Sequence, residues 1–80
     1  MEARKIIITG GATRIGAAIA KKLSGKNAEI VIHFNKSRTK AIALKKELEK
    51  NGTKIYLVKG NLNKKEDIRK IIKSSKKYLK

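Results

Sequence analysis

A chain of 80 residues with no Cys and one His is long enough for a single domain or part of one. It cannot form a disulfide or a thiolate metal site, and one copy cannot supply a His-cluster metal site. The net charge of +16 attracts anions such as nucleotides, nucleic acid, acidic lipid or acidic partners, although solvated Lys-rich helix faces are the favoured explanation of it.

Apolar runs are short throughout the chain. None approaches the roughly 20 residues of a membrane span. The apolar stretch near the N-terminus is also shorter than a signal-peptide core of about 7–15 residues. We therefore expect a cytoplasmic protein with no membrane partner.

Apolar periodicity predicts alternating strands and helices. Short runs rich in Ile and Val predict buried strands at Lys5–Thr9, Glu29–Phe34 and Lys54–Val58. Helical spacing predicts helices at Arg14–Ser24, at Arg38–Lys50 and from Asn63 onward.

Each predicted helix has one apolar face. The residues on these faces are Ile15, Ala18, Ile19 and Leu23 in the first helix, Ala41, Leu44 and Leu48 in the second, and Ile68, Ile71, Ile72, Ser75 and Leu79 in the third. Asn51-Gly52 is typical of a left-handed cap that ends the second helix. Asn63 and Glu66 have the spacing of a capping box at the start of the third.

The order βαβαβα with apolar strands predicts an α/β fold, half of a doubly wound Rossmann fold with a three-stranded parallel sheet over residues 1–80. In a sheet ordered 3-2-1-4-5-6, the first strand pairs with a fourth. The sequence contains no fourth strand, so we expect Ile6 to Ile8 to lie at an open apolar edge. Such an edge favours self-association or pairing with a complementary chain.

A Gly-rich turn follows the first strand, with glycines at Gly10, Gly11 and Gly16. A turn of this kind lets the backbone approach a pyrophosphate, and the following helix offers free N–H groups and the positive end of its dipole. The usual GxGxxG spacing is not present, and a tight turn without a ligand is the alternative.

The segment Thr9 to Gly16 resembles the TGxxxGxG turn of short-chain dehydrogenases/reductases, with Arg14 at the position of the middle Gly. This TGxxxRIG form is similar to the pteridine-reductase-like branch. The resemblance runs through the whole chain but covers only the N-terminal, nucleotide-binding portion of a family member. It implies a cofactor site that includes Thr9, Gly10, Arg14, Ile15 and Gly16, where Arg14 could add a bidentate contact to phosphate.

The residues after the second strand bear on the choice of cofactor. Rossmann folds that prefer NAD place an Asp or Glu there to bind the ribose hydroxyls. Here the segment His33-Phe34-Asn35-Lys36-Ser37-Arg38 has no carboxylate, so its cations and hydroxyl favour NADP(H). The alternative is a basic turn in which Ser37 caps the second helix; both can hold at once.

The resemblance extends the cofactor site to His33, Asn35, Asn61 and Leu62. It places His33 near the adenosine phosphate, although a lone His at a strand end is more often structural. Asn61 stands where the family carries an Asp that contacts adenine, and its amide can donate and accept. The alternative is a loop Asn before a helix.

The family's catalytic residues have no counterpart in this chain. The Asn-Ala-Gly motif, the Ser and the Tyr-x-x-x-Lys pair are absent: Gly60 follows Tyr56 at that spacing, and the chain ends soon after Tyr78. We therefore expect no catalysis by this chain alone, and interpret it as the NADP(H)-binding part of a truncated or split oxidoreductase. The alternative is a non-enzymatic basic module that binds nucleotide or nucleic acid.

Overall fold

The computed structural model describes residues 4–10 and 13–79. Three strands alternate with three helices, and their bounds agree with the predicted ones to within a residue or two. In chain order they are β1 (Arg4–Ile8), α1 (Arg14–Leu23), β2 (Ala28–Phe34), α2 (Arg38–Glu49), β3 (Lys54–Lys59) and α3 (Lys65–Tyr78).

The strands form one parallel sheet in the order β1-β2-β3. Ile30 of β2 is aligned with Ile6 of β1 on one side and with Ile55 of β3 on the other. β2 is therefore central, and nearly all of its residues are buried. The predicted half-Rossmann fold is confirmed, and β1 lies at an edge of the sheet among the described residues.

Alternate residues of β2 belong to two cores. Ile30 and Ile32 pack in a cluster that includes Ala20 of α1 and Leu44 of α2. The intervening Val31 packs in a second cluster with Ile71 of α3. Because successive strand residues point to opposite faces of a sheet, α1 and α2 cover one face and α3 covers the other.

The apolar stripe predicted for α2 is confirmed, since Ala41, Leu44 and Leu48 are all buried. The end of this helix also follows the prediction. Gly52 has a positive φ of 92°, and the Thr53 N–H donates to the Leu48 carbonyl at 3.3 Å. A glycine suits that backbone conformation because it has no Cβ.

The face predicted for α1 is wrong in part. Ile15 and Ile19 are 75% and 45% exposed, whereas Gly16 and Ala20 are buried against the sheet. Small side chains on the inner side let the helix approach the strands closely, and the branched residues lie on the outer side. In α3, Ile71 and Ser75 are buried as predicted, but Ile72 is half exposed.

The capping box predicted at Asn63 and Glu66 is also wrong. The residue that caps α3 is Lys64, which makes no side-chain cap hydrogen bond. The carboxamide oxygen of Asn61 accepts from the Asn63 N–H at 2.9 Å, so Asn63 belongs to a preceding turn. The carboxylate that binds back to this turn is that of Asp67, which accepts from the Asn61 N–H at 2.8 Å.

Candidate functional site

The turn after β1 is held by a left-handed glycine and a threonine. Gly10 has φ of +62°, a conformation that other residues adopt only at a cost. The Thr13 hydroxyl donates to the Gly10 carbonyl at 2.6 Å and accepts from the Gly16 N–H at 3.2 Å, which makes Thr13 the N-cap of α1. Gly11 and Ala12, in the middle of the predicted phosphate-binding turn, lie outside the described residues.

The buried His33 ring joins the ends of all three strands. Its Nδ1 lies 3.1 Å from the Gly10 N–H, and its Nε2 lies 2.7 Å from the Gly60 carbonyl. A backbone N–H can only donate, so Nδ1 is the acceptor. The proton of a neutral ring is therefore on Nε2, where it is donated to Gly60. The ring thus fixes the turn after β1 against the loop after β3.

A cavity of about 240 Å³ lies beside this ring, where β1 and β2 end. We call it the turn cavity. Its lining comes from the turn after β1 and from the segment after β2: Gly10, Thr13, His33, Phe34, Asn35, Lys36 and Ser37. Five of the residues predicted for the cofactor site, Gly10, His33, Asn35, Lys36 and Ser37, are therefore brought together here. The first turn of α1 begins at the same place, and the first N–H groups of a helix have no intrahelical acceptor.

Ser37 and Arg38, at the start of α2, were also predicted for the cofactor site. Ser37 is the N-cap residue, as the alternative interpretation predicted, but its hydroxyl makes no cap hydrogen bond. The Arg38 guanidinium lies 5.9 Å from the centre of the Phe34 ring, a cation–π distance. Ser37 lines the turn cavity and its hydroxyl does not cap its own helix, whereas Arg38 is not among the residues that line the cavity.

Other predicted site residues lie elsewhere. Arg14 lines a second hollow of about 420 Å³ between α1 and α2, which we call the interhelix groove. Thr9 and Leu62 line a third hollow of about 240 Å³ with Ile7, which we call the apolar groove. Ile15 is mostly exposed, and Gly16 is buried in the first turn of α1.

Asn61 makes contacts that limit its predicted role. Its carboxamide oxygen already accepts from Asn63, and its backbone N–H donates to Asp67. Asn61 is not among the residues that line the turn cavity. For a contact with an adenine edge, Asn61 keeps its amide nitrogen and the second lone pair of its carboxamide oxygen.

Sequence reasoning missed three features of the site. Thr13 lines both the turn cavity and the interhelix groove, and a Thr just before a helical pattern is a recognisable N-cap signal. The double hydrogen bond of His33 had no sequence signal, because it joins segments more than 20 residues apart. Lys40 lines the interhelix groove opposite α1 and was indistinguishable in sequence from other lysines.

Two kinds of feature are absent from residues 4–10 and 13–79. They contain no cluster of His, Asp or Glu side chains that could hold a metal ion. Within the same ranges, no helix is long and apolar enough to cross a membrane.

The strand order, the parallel register and a cavity at the carboxyl ends of the strands define an α/β protein with half of a Rossmann fold. Residues 4–80 match the family described as short chain dehydrogenase. The chain therefore belongs to the short-chain dehydrogenase family.

Individual relatives agree with this assignment. The chain is 33% identical over 69 residues to the short-chain dehydrogenase/reductase FrzI of Cladobotryum sp., a match that covers 86% of this chain and 27% of FrzI. A short-chain dehydrogenase of Oenococcus oeni superposes with a TM-score of 0.88 at 29% identity, covering 98% of this chain and 36% of that one.

A third similar protein was solved with a cofactor. This is the FolM alternative dihydrofolate reductase 1 of Brucella suis in complex with NADP, with a TM-score of 0.83 at 26% identity over 95% of this chain and 30% of that one. Across these three proteins the chain spans between 27% and 36% of the relative's length.

Proposed function

We propose that this chain binds NADP(H) in the turn cavity, as the nucleotide-binding segment of a short-chain oxidoreductase. The observation that carries the proposal is the convergence of Gly10, His33, Lys36 and Ser37 on one cavity at the carboxyl ends of β1 and β2. The left-handed Gly10 brings bare backbone to the cavity wall, and α1 begins beside it. These groups fit a dinucleotide, because backbone and a helix start suit phosphate while the polar segment after β2 suits the adenosine ribose.

The preference for the phosphorylated cofactor rests on charge. After Phe34 at the end of β2, the first acidic residue in the chain is Glu47, and none of the residues that line the cavity carries a carboxylate to bind ribose hydroxyls. Lys36 lines the cavity, and the Ser37 hydroxyl is not used as a cap. A 2′-phosphate would find a cation and a hydroxyl donor at this position. The NADP bound to the similar Brucella suis protein supports the same choice.

The chain's part in the reaction is to bind and orient the cofactor. A nicotinamide dinucleotide, when bound, supplies or accepts the hydride. Tyr78 stacks on Tyr56 with ring centres 4.6 Å apart and planes 8° from parallel, so it stabilises the end of α3.

Arg14 in the TGxxxRIG turn supports the proposal that the chain resembles the pteridine-reductase-like branch. Residues 1–80 are proposed to act as the binding half, without catalysis by themselves.

The direct test is titration of the purified chain with NADPH and with NADH, in which calorimetry or nucleotide fluorescence measures binding. We expect tighter binding of NADPH, and we expect Lys36→Gln to remove most of the difference. A useful control is Lys54→Gln, because Lys54 lies at the start of β3, at the opposite end of the sheet from the turn cavity. Equal affinity for both dinucleotides, or no binding of either, would reject the proposal.

A second candidate function is binding of nucleic acid by a basic module. The observation that favours it is charge: the net charge is +16, and the described residues contain a single ion pair, Lys21 with Glu47 at 3.6 Å. A short DNA duplex included in the titration tests this function. Polyanion binding would weaken steeply with salt, because it releases counterions.

We also propose that the β1 edge pairs with a second copy or a complementary chain. Ile7 of β1 and its neighbours Leu62 and Ile72 are 51%, 46% and 50% exposed, and all three line the apolar groove. An edge strand beside exposed apolar side chains favours association. Sedimentation equilibrium over a range of concentrations would detect it.

A further inference from the structure

The two ends of the interhelix groove differ in charge. At its C-terminal end, Lys21 of α1 lies 3.6 Å from Glu47 of α2, so the two charges offset each other. At its N-terminal end, Arg14 and Lys40 also line the groove, two helical turns from that pair. Neither has an acidic partner within 4 Å among the described residues. Excess positive charge is therefore confined to one end.

The cations at this end are placed against the helix dipoles. Neither α1 nor α2 has an acidic residue in its first turn, where a carboxylate would stabilise the helix. Arg14 begins α1, and Arg38 and Lys40 lie in the first turn of α2. An anion held between the two helix starts would offset this repulsion.

The same end of the groove adjoins the turn cavity. Thr13, the N-cap of α1, lines both hollows, so they meet at the start of that helix. Lys36 and Ser37 line the turn-cavity side, and Arg14 and Lys40 line the other. A phosphate at the junction would therefore be within the field of cations from both hollows.

We propose that Lys40 is a specificity-determining residue, which together with Arg14 attracts the 2′-phosphate of NADP(H) from the interhelix-groove side. This inference rests on the proposed function and adds a residue from outside the turn cavity. The ligand chemistry is a phosphomonoester on a nucleotide ribose. Arg14 supplies a planar donor fork, whereas the flexible Lys40 ammonium acts as a point charge.

The test compares Lys40→Gln with a charge-matched control. Lys46→Gln removes the same charge from an exposed position in the last turn of α2 and leaves the groove lining unchanged. Dissociation constants are measured for NADPH and NADH, which differ only in the 2′-phosphate, at one fixed ionic strength. We expect Lys40→Gln to weaken NADPH binding about three- to tenfold, as suits a charge-assisted contact at an exposed site. The dissociation constant for NADH should change less than about twofold. Lys46→Gln should leave the ratio of the NADPH and NADH dissociation constants unaltered.

A double variant tests whether Lys40 and Arg14 act on the same phosphate. Arg14→Gln/Lys40→Gln should weaken NADPH binding by less than the product of the two single fold-changes, because both cations act on one phosphate. Equal effects of Lys40→Gln and Lys46→Gln would overturn the inference in favour of net charge alone, with the proposed function intact. Failure of the unaltered chain to bind either dinucleotide would instead overturn the proposed function, and this inference with it.

Discussion

Replacement of His33 by Leu tests whether the ring holds the site together. His33 is 3% exposed and both of its nitrogens are used, one by the Gly10 N–H and one by the Gly60 carbonyl. Leu fills similar space but can neither accept nor donate. The substitution therefore leaves a donor and an acceptor without a partner, and Gly60 is itself buried.

The expected loss of stability follows from how deeply the Gly10 N–H and the Gly60 carbonyl are buried. A buried polar group left without a partner costs about 1–3 kcal/mol, and the contribution from Gly10 is at the low end because that bond is only partly buried. We expect a loss of about 2–4 kcal/mol in total. A chain of this size has a free energy of unfolding of about 4–12 kcal/mol, so the loss is a large fraction of its stability.

Urea denaturation followed by far-ultraviolet circular dichroism measures this change. With a slope of about 1 kcal/mol per molar urea, the midpoint of His33→Leu should fall by about 2 M or more. His33→Asn can keep an acceptor near the position of Nδ1, and His33→Gln can keep a donor near Nε2. The urea midpoints of both variants should lie between those of His33→Leu and the unaltered chain. A loss below about 0.5 kcal/mol for His33→Leu would refute the bridging role, because it is smaller than one typical hydrogen bond.

Three other substitutions test separate features of the structure. Gly10→Ala should destabilise the fold by about 1–2 kcal/mol in the same urea assay, because a Cβ is strained at φ of +62° although its nearest neighbour is 3.9 Å away; an unchanged midpoint would show a different backbone at the turn. Ser75→Ala should leave stability unchanged or raise it by up to about 1 kcal/mol in thermal melts, because the buried hydroxyl has no partner among the described residues; a clear loss would reveal a hydrogen bond. Ile7→Thr should lower any self-association seen by sedimentation, at a cost of less than about 1 kcal/mol, because Ile7 is 51% exposed; undiminished association would place the contact away from the β1 edge.

The site residues that were predicted from the sequence belong to short contiguous motifs. The glycine turn and the basic segment after β2 are contiguous motifs, and Gly10, Lys36 and Ser37 do line one cavity. Arg14 belongs to the same turn motif, yet it lines the neighbouring groove. Adjacency in sequence therefore identified the region but did not assign each side chain to a hollow.

Helix faces show a similar limit. The spacing of apolar residues predicted the buried stripe of α2, because large side chains there coincide with the face on the sheet. In α1 the same spacing selected Ile15 and Ile19, which are exposed, since the buried face consists of small residues such as Gly16 and Ala20. Small residues give a weak apolar signal even where close packing depends on them.

The sequence by itself determined the order of strands and helices, the parallel sheet and the place of the glycine turn, because apolar periodicity and turn residues act over a few neighbouring positions. Only the tertiary structure decided that His33 joins the ends of three strands and that Arg14 and Lys40 share a groove. Those contacts join segments that are distant along the chain, and they form only when the sheet has brought the carboxyl ends of its strands together.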